Sequence, residues 1–198
     1  MTRFKKTKRR PKTNKNFWLG LFIVVIMVSS GFGVMLGGFN RDSGSNSYDG
    51  IEFVSSQNMF VATIDGSKKA FPYLPQQVDY FNVSDDVIQR LKESPQVDLT
   101  SAPESNLKHE ISQAKFFLDQ HLAEHFGTYV RKGFSEENQY GLPVITCNAS
   151  ADVPVVFYEE ANETDISVDG SCVTIRSSSA DGFLRITTRI IYGLYGVI

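Results

Sequence analysis

Residues 96–127 read QVDLTSAPESNLKHEISQAKFFLDQHLAEHFG, and a change of period inside this stretch sets the fold class. The first six, 96–101, read as a strand. Pro103 suits the first turn of a helix, where the missing N–H has no partner to lose, and Gly127 suits its end, where left-handed backbone is needed. At helical spacing Leu107, Ile111, Ala114, Leu118 and Leu122 share one stripe, flanked by Phe117. A strand feeding a long helix with one apolar stripe predicts a sheet covered by helices.

Working outward, residues 142–147, 153–158, 166–168 and 172–175 read as strands, the last two joined by the hairpin dipeptide Asp169-Gly170. A closing helix is expected over 180–195, buried through Phe183, Ile190, Ile191 and Leu194, with Asp181 and Arg185 spaced for an ion pair. On the other side, 51–54, 59–64 and 67–73 predict a small antiparallel meander. Its Asp65-Gly66 joint suits a type I′ turn and sets Phe60 opposite Phe71. Pro72 and Pro75 end that unit, and Ser84 is placed to cap a short helix over 85–92. The fold class expected is α+β: the meander, then a mixed sheet covered by a long central helix and a C-terminal helix, with no internal repeat.

The chain has 198 residues and a formal net charge of −2, which conceals an asymmetry. Residues 1–16 hold eight Lys/Arg and no acid, whereas the remaining 182 carry a balance of −10. An acidic domain repels phosphates and excludes a nucleic-acid partner for it. Residues 17–39 follow the basic tail without one charge. At about 1.5 Å per residue they reach roughly 35 Å as a helix, enough to cross a hydrocarbon core of about 30 Å. The expected organisation is a cytoplasmic tail over 1–16, a transmembrane helix over 17–39, a polar tether over 40–50 and an extracytoplasmic domain over 51–198. A cleavable signal peptide ending near Val28-Ser29-Ser30 is the rival, but the apolar run continues through Gly31 to Leu36. Ser29, Gly33 and Gly37 recur every fourth residue, a small-residue face through which two membrane helices can pack; glycine is also simply common in such helices.

Cys147 and Cys172 are the only cysteines and fall in neighbouring expected strands. On the oxidising side of a membrane that pairing predicts a structural disulfide, although Cys172 alternates away from Val173 and Ile175. N-x-S/T sequons begin at Asn82, Asn148 and Asn162, all beyond the expected anchor.

One constellation carries possible catalysis. His121-Leu122-Ala123-Glu124-His125 is H-x-x-E-H and resembles the zinc signature of the inverzincin metallopeptidases. Two imidazoles four residues apart on a helix can grip zinc, and Glu124 between them can deprotonate its water. The resemblance covers five residues and implies a third ligand from a later helix, where no glutamate stands; Glu136 and Glu137 follow in a loop, and Asp181 is the one acid of the closing helix. The plainer reading is two packed histidines at the end of a core helix. No Gly-rich phosphate loop follows a strand, and no G-x-S-x-G elbow occurs. Arg185 and Arg189 read as a solvated face.

The runs PVITCNAS (143–150), PVVF (154–157), GSCVTI (170–175) and TRIIYGLYGVI (188–198), together with the anchor, resemble small archaeal membrane-anchored proteins that end in a similar aromatic-glycine helix. That resemblance implies an envelope protein and carries no activity or functional residue. The expectation is a single-pass membrane protein presenting a binding or structural domain, with no cofactor and with the membrane as its partner. The alternatives are a zinc hydrolase using His121, His125 and Glu124, or an accessory subunit (or homodimer) that associates through its anchor.

Overall fold

The computed structural model describes residue 22, residues 46–148 and residues 152–198. The expected tail and the span 17–39, Phe22 excepted, lie outside the described residues, as do Ser29, Gly33 and Gly37. Among the described residues no helix is long and apolar enough to cross a membrane. Contacts divide the chain between Ser43 and Gly44, and the architecture below is that of the second unit.

Among its described residues that unit is mixed α+β, with two sheets and three helices. Strands β1 (Asn46–Tyr48), β2 (Ile51–Ser56), β3 (Met59–Ile64) and β4 (Ser67–Phe71) form an antiparallel meander in that order. Both turn residues Asp65 (φ 50°) and Gly66 (φ 74°) are left-handed, as a type I′ turn requires, and Phe60 pairs with Phe71. Residues 46–50, read as tether, belong instead to β1 and its turn. Their side chains are polar and mostly exposed, so no hydrophobic alternation marks an edge strand.

After a 3-10 turn at Pro75–Gln77 come α1 (Asp85–Glu93), β5 (Gln96–Ser101), α2 (Lys108–Phe126), β6 (Tyr129–Lys132), β7 (Val155–Glu160), β8 (Asp165–Asp169), β9 (Cys172–Ser177) and α3 (Ala180–Leu194). The second sheet has the order β6-β5-β7-β9-β8. Every neighbouring pair is parallel except β8 and β9, the expected Asp169-Gly170 hairpin.

Two boundaries differ from expectation. The central helix begins at Lys108, so Pro103 lies before it in a loop. The carboxylate of Glu160 holds that loop, accepting from Ser105 Oγ (2.8 Å) and from Asn106 N (2.9 Å). A cross-sheet anchor thus replaces a first helical turn. Residues 142–147 are not a strand; one bridge, Phe134 to Val144, is all the strand pairing they make among the described residues. The parallel edge is taken by β6, whose short Tyr-Val-Arg-Lys run carries little apolar signal.

Helices α2 and α3 lie between the sheets. Phe71 of the meander stacks on Tyr192 of α3 at 4.4 Å, and Tyr158 of β7 meets Phe183 of α3 at 6.1 Å. That placement explains why α3 is buried on nearly every side, including Thr187 and Thr188. The link after the meander is fastened to α3 as well. Tyr192 donates to Tyr73 O (2.6 Å), Tyr73 donates to Asp181 (2.5 Å), and Arg185, the ion-pair partner of Asp181, covers the Tyr73 ring. Arg189 donates to Ile198 O, so neither arginine forms a free basic face.

The other face of the five-stranded sheet is covered by residues 133–148. Here Ile145, Val155 and Cys172 form a second, small core. Cys147 and Cys172 stand at disulfide distance (Cα–Cα 5.2 Å). Cys172 does alternate away from the main core, and is nonetheless 2% exposed because this segment covers it.

Candidate functional site

In an open parallel sheet, a crevice forms where the strand order reverses, at the carboxyl ends of the strands. Here the chain leaves β5 through α2 to reach β6 on one side, then returns to place β7 on the other. The reversal therefore lies between β5 and β7. A cleft of ≈ 660 Å³ opens at that point, lined by Pro103, Glu104, Ser135, Glu136, Phe157 and Glu160 among others.

The cleft is polar and acidic. Hydrogen bonds from Ser105 and then Asn106 hold the Glu160 carboxyl below its ordinary range. Glu159 pairs with Arg176 (2.8 Å), which also donates to Ser167 Oγ. Glu104 and Glu136 complete the acidic lining. This arrangement suits a polar, neutral or cationic ligand and disfavours anions.

The H-x-x-E-H motif lies elsewhere, on α2 where it meets β4. His121 is 5% exposed, stacked against Phe71 (5.7 Å) and edge-on to Phe117 (4.8 Å). Its Nδ1 stands 2.9 Å from the Tyr195 hydroxyl, and the ring also bonds the Ala70 backbone. Burial first, then His125, lowers its pKa to about 4, leaving a neutral ring at pH 7. The His125 Nδ1 accepts from Lys69 Nζ at 2.5 Å. Burial and then Lys69 lower its pKa too, whereas Glu124 opposes them. Glu124 accepts from Gln120 Nε2 at 3.3 Å.

A lysine ammonium on one imidazole repels a divalent cation, and the residues thought able to complete a zinc site are not gathered here. Glu136 lines the cleft at the carboxyl edge, and Asp181 sits on Tyr73 and Arg185. Among the described residues no group of three or more His, Cys, Asp or Glu is placed to hold a metal. What the motif visibly does is join the two halves of the unit: α2 through His121 and His125, the meander through Lys69, Ala70 and Phe71, and the C-terminal segment through Tyr195.

The sequence reading missed a second buried cation. Lys115 of α2 is 7% exposed and donates to Gly133 O (3.1 Å) and Ser101 Oγ (3.3 Å), with its Nζ 5.3 Å from the Phe134 ring centroid. Burial, followed by the charge of Lys132, lowers its pKa to about 8. Its position beside the apolar stripe was the available signal. A serine and a lowered lysine are the parts of a nucleophilic pair. Here both are enclosed, and the lysine anchors the start of the 133–148 segment to α2.

Asn82, Asn148 and Asn162 are all exposed, and Asn162 lines the cleft. No family model, curated protein or solved structure matches this chain.

Proposed function

We propose that this chain is a single-pass envelope protein whose extracytoplasmic domain binds a polar ligand in the cleft between β5 and β7. The observation that carries the binding role is the coincidence of that cleft with the strand-order reversal. The basic tail before an uncharged span of 23 residues supports the membrane placement. The disulfide-distance cysteine pair agrees with an oxidising exterior.

The hydrolase alternative gains nothing from the geometry, because Lys69 and Tyr195 engage the two imidazoles. Self-association through Ser29, Gly33 and Gly37 remains a proposal about the anchor alone. Replacing Gly33 by Leu should abolish cross-linked dimers in membranes if it is right, and leave them intact if it is wrong.

The binding role is tested on the full-length protein in lipid nanodiscs, by thermal unfolding against a panel of polyamines, short basic peptides, neutral sugars and organic anions. A cationic or neutral compound should raise the midpoint, and Glu104→Lys with Glu136→Lys should remove that rise. A panel without effect, or stabilisation indifferent to both substitutions, would count against the cleft.

A further inference from the structure

We infer that Asn82 and Asn162 are sites of N-linked glycosylation; the inference rests on the extracytoplasmic placement proposed above. Each begins an N-x-S/T sequon without proline, Asn82-Val83-Ser84 and Asn162-Glu163-Thr164. Both lie in connecting segments, Asn82 between the 3-10 turn and α1, Asn162 between β7 and β8. Both side chains are exposed.

Two other asparagines of the unit, Asn106 and Asn138, are committed to the fold. Asn138 Oδ1 accepts from Tyr140 N and Leu142 N (both 3.1 Å), and its amide donates to Leu142 O. Asn106 Nδ2 donates to Glu160 Oε1. Asn82 and Asn162 hold no such bond among the described residues, so a substituent on either carboxamide displaces nothing.

The burial around each site is also favourable. Phe81 and Val83, on either side of Asn82, are buried and fix the segment while Asn82 projects outward. Thr164 Oγ1 lies 3.0 Å from Ser177 Oγ, a contact on the far side of the sequon that leaves Asn162 free. Ser84 occupies the N-cap position of α1 but its side chain makes no capping bond. The third sequon, at Asn148, continues into residues outside the described set and carries no part of this inference.

The chemistry is a glycosyl transfer from a lipid-linked oligosaccharide donor. The carboxamide nitrogen forms a bond to the anomeric carbon, the bond from that carbon to the donor phosphate oxygen breaks, the amide loses one proton, and the lipid phosphate leaves. No oxidant or metal of this chain takes part. A glycan on Asn162 would stand at the rim of the cleft and restrict it to ligands small enough to pass beneath.

The test uses the full-length chain, taken from the membranes of the cell that makes it, and mass spectrometry of its proteolytic peptides. The peptides bearing Asn82 and Asn162 should carry glycan mass. Ser84→Ala should remove it from the first and Thr164→Val from the second, with both asparagines kept. Protease added to intact cells separates the two ways of failing. A domain that is digested, yet yields both peptides unmodified, overturns this inference and leaves the placement standing. A fully protected domain overturns the placement, and this inference with it.

Discussion

His121 illustrates how one buried residue links packing to pH. Its folded pKa of about 4 lies below the 6.5 of a free imidazole, so between those values the unfolded chain binds more protons. Its contribution to stability is therefore complete above pH 6.5 and is lost as pH falls toward 4. The span corresponds to an upper limit on the order of 3 kcal/mol. Denaturant titrations at pH 7 and pH 4.5 should show the loss, and His121→Phe should flatten it. Lys115 acts at the other end of the scale. Its pKa of about 8, against 10.5 when free, means that the unfolded chain holds the extra proton between those values, so stability rises with pH across them. Urea midpoints at pH 8 and pH 10 compared with Lys115→Met would report that rise; an equal slope in the variant would assign it elsewhere.

Among elements, the segment 133–148 depends most on close approach. A Cβ on Gly133 would lie 2.3 Å from the Pro143 carbonyl oxygen, and Ile145 is also under 3 Å away. Backbone cannot yield as a side chain can, so Gly133→Ala should destabilise by about 1–3 kcal/mol. Hydrogen exchange should accelerate around Ile145 before it does in β5. The helix α2 teaches a related lesson about boundaries. Its stripe was legible from Leu107 to Leu122, and Ile111, Ala114, Leu118 and Leu122 are indeed buried. Its start was not, because Glu160 lies more than fifty residues away in sequence and holds Ser105 and Asn106 out of the helix. The strand β6 was missed for a similar reason, since Tyr129 is exposed and no alternation marks its edge.

At the scale of the whole molecule, the layer of helices between the sheets carries the main core, and a second core beneath the five-stranded sheet brings Cys147 and Cys172 to disulfide distance. Phe71 touches Tyr192, His121, Tyr195 and Phe53, so Phe71→Ala should cost about 3–5 kcal/mol by calorimetry. Serine at both Cys147 and Cys172 should lower stability by about 2–4 kcal/mol, with a correspondingly lower unfolding midpoint. If the double variant melts with the parent, the second core is held by the packing of Ile145, Val155 and Phe157 without a disulfide.

Local pattern was enough to establish the α+β class, the Asp65-Gly66 turn, the buried stripe of α2, the Asp169-Gly170 hairpin and the pairing of the two cysteines. Each is written in residues a few positions apart, or in a count too small to allow a second choice. The parallel order β6-β5-β7-β9, the cleft at its reversal and the Lys69–His125 contact belong to another category. They depend on which distant segments meet, and no spacing along the chain encodes that Glu160 faces Ser105 or that a lysine from the meander reaches a helix 56 residues further on. The histidine motif shows the difference most plainly: its spacing is that of a zinc site, while the packing of Phe71, Lys69 and Tyr195 around it makes it a joint between α2, the meander and the C-terminal segment.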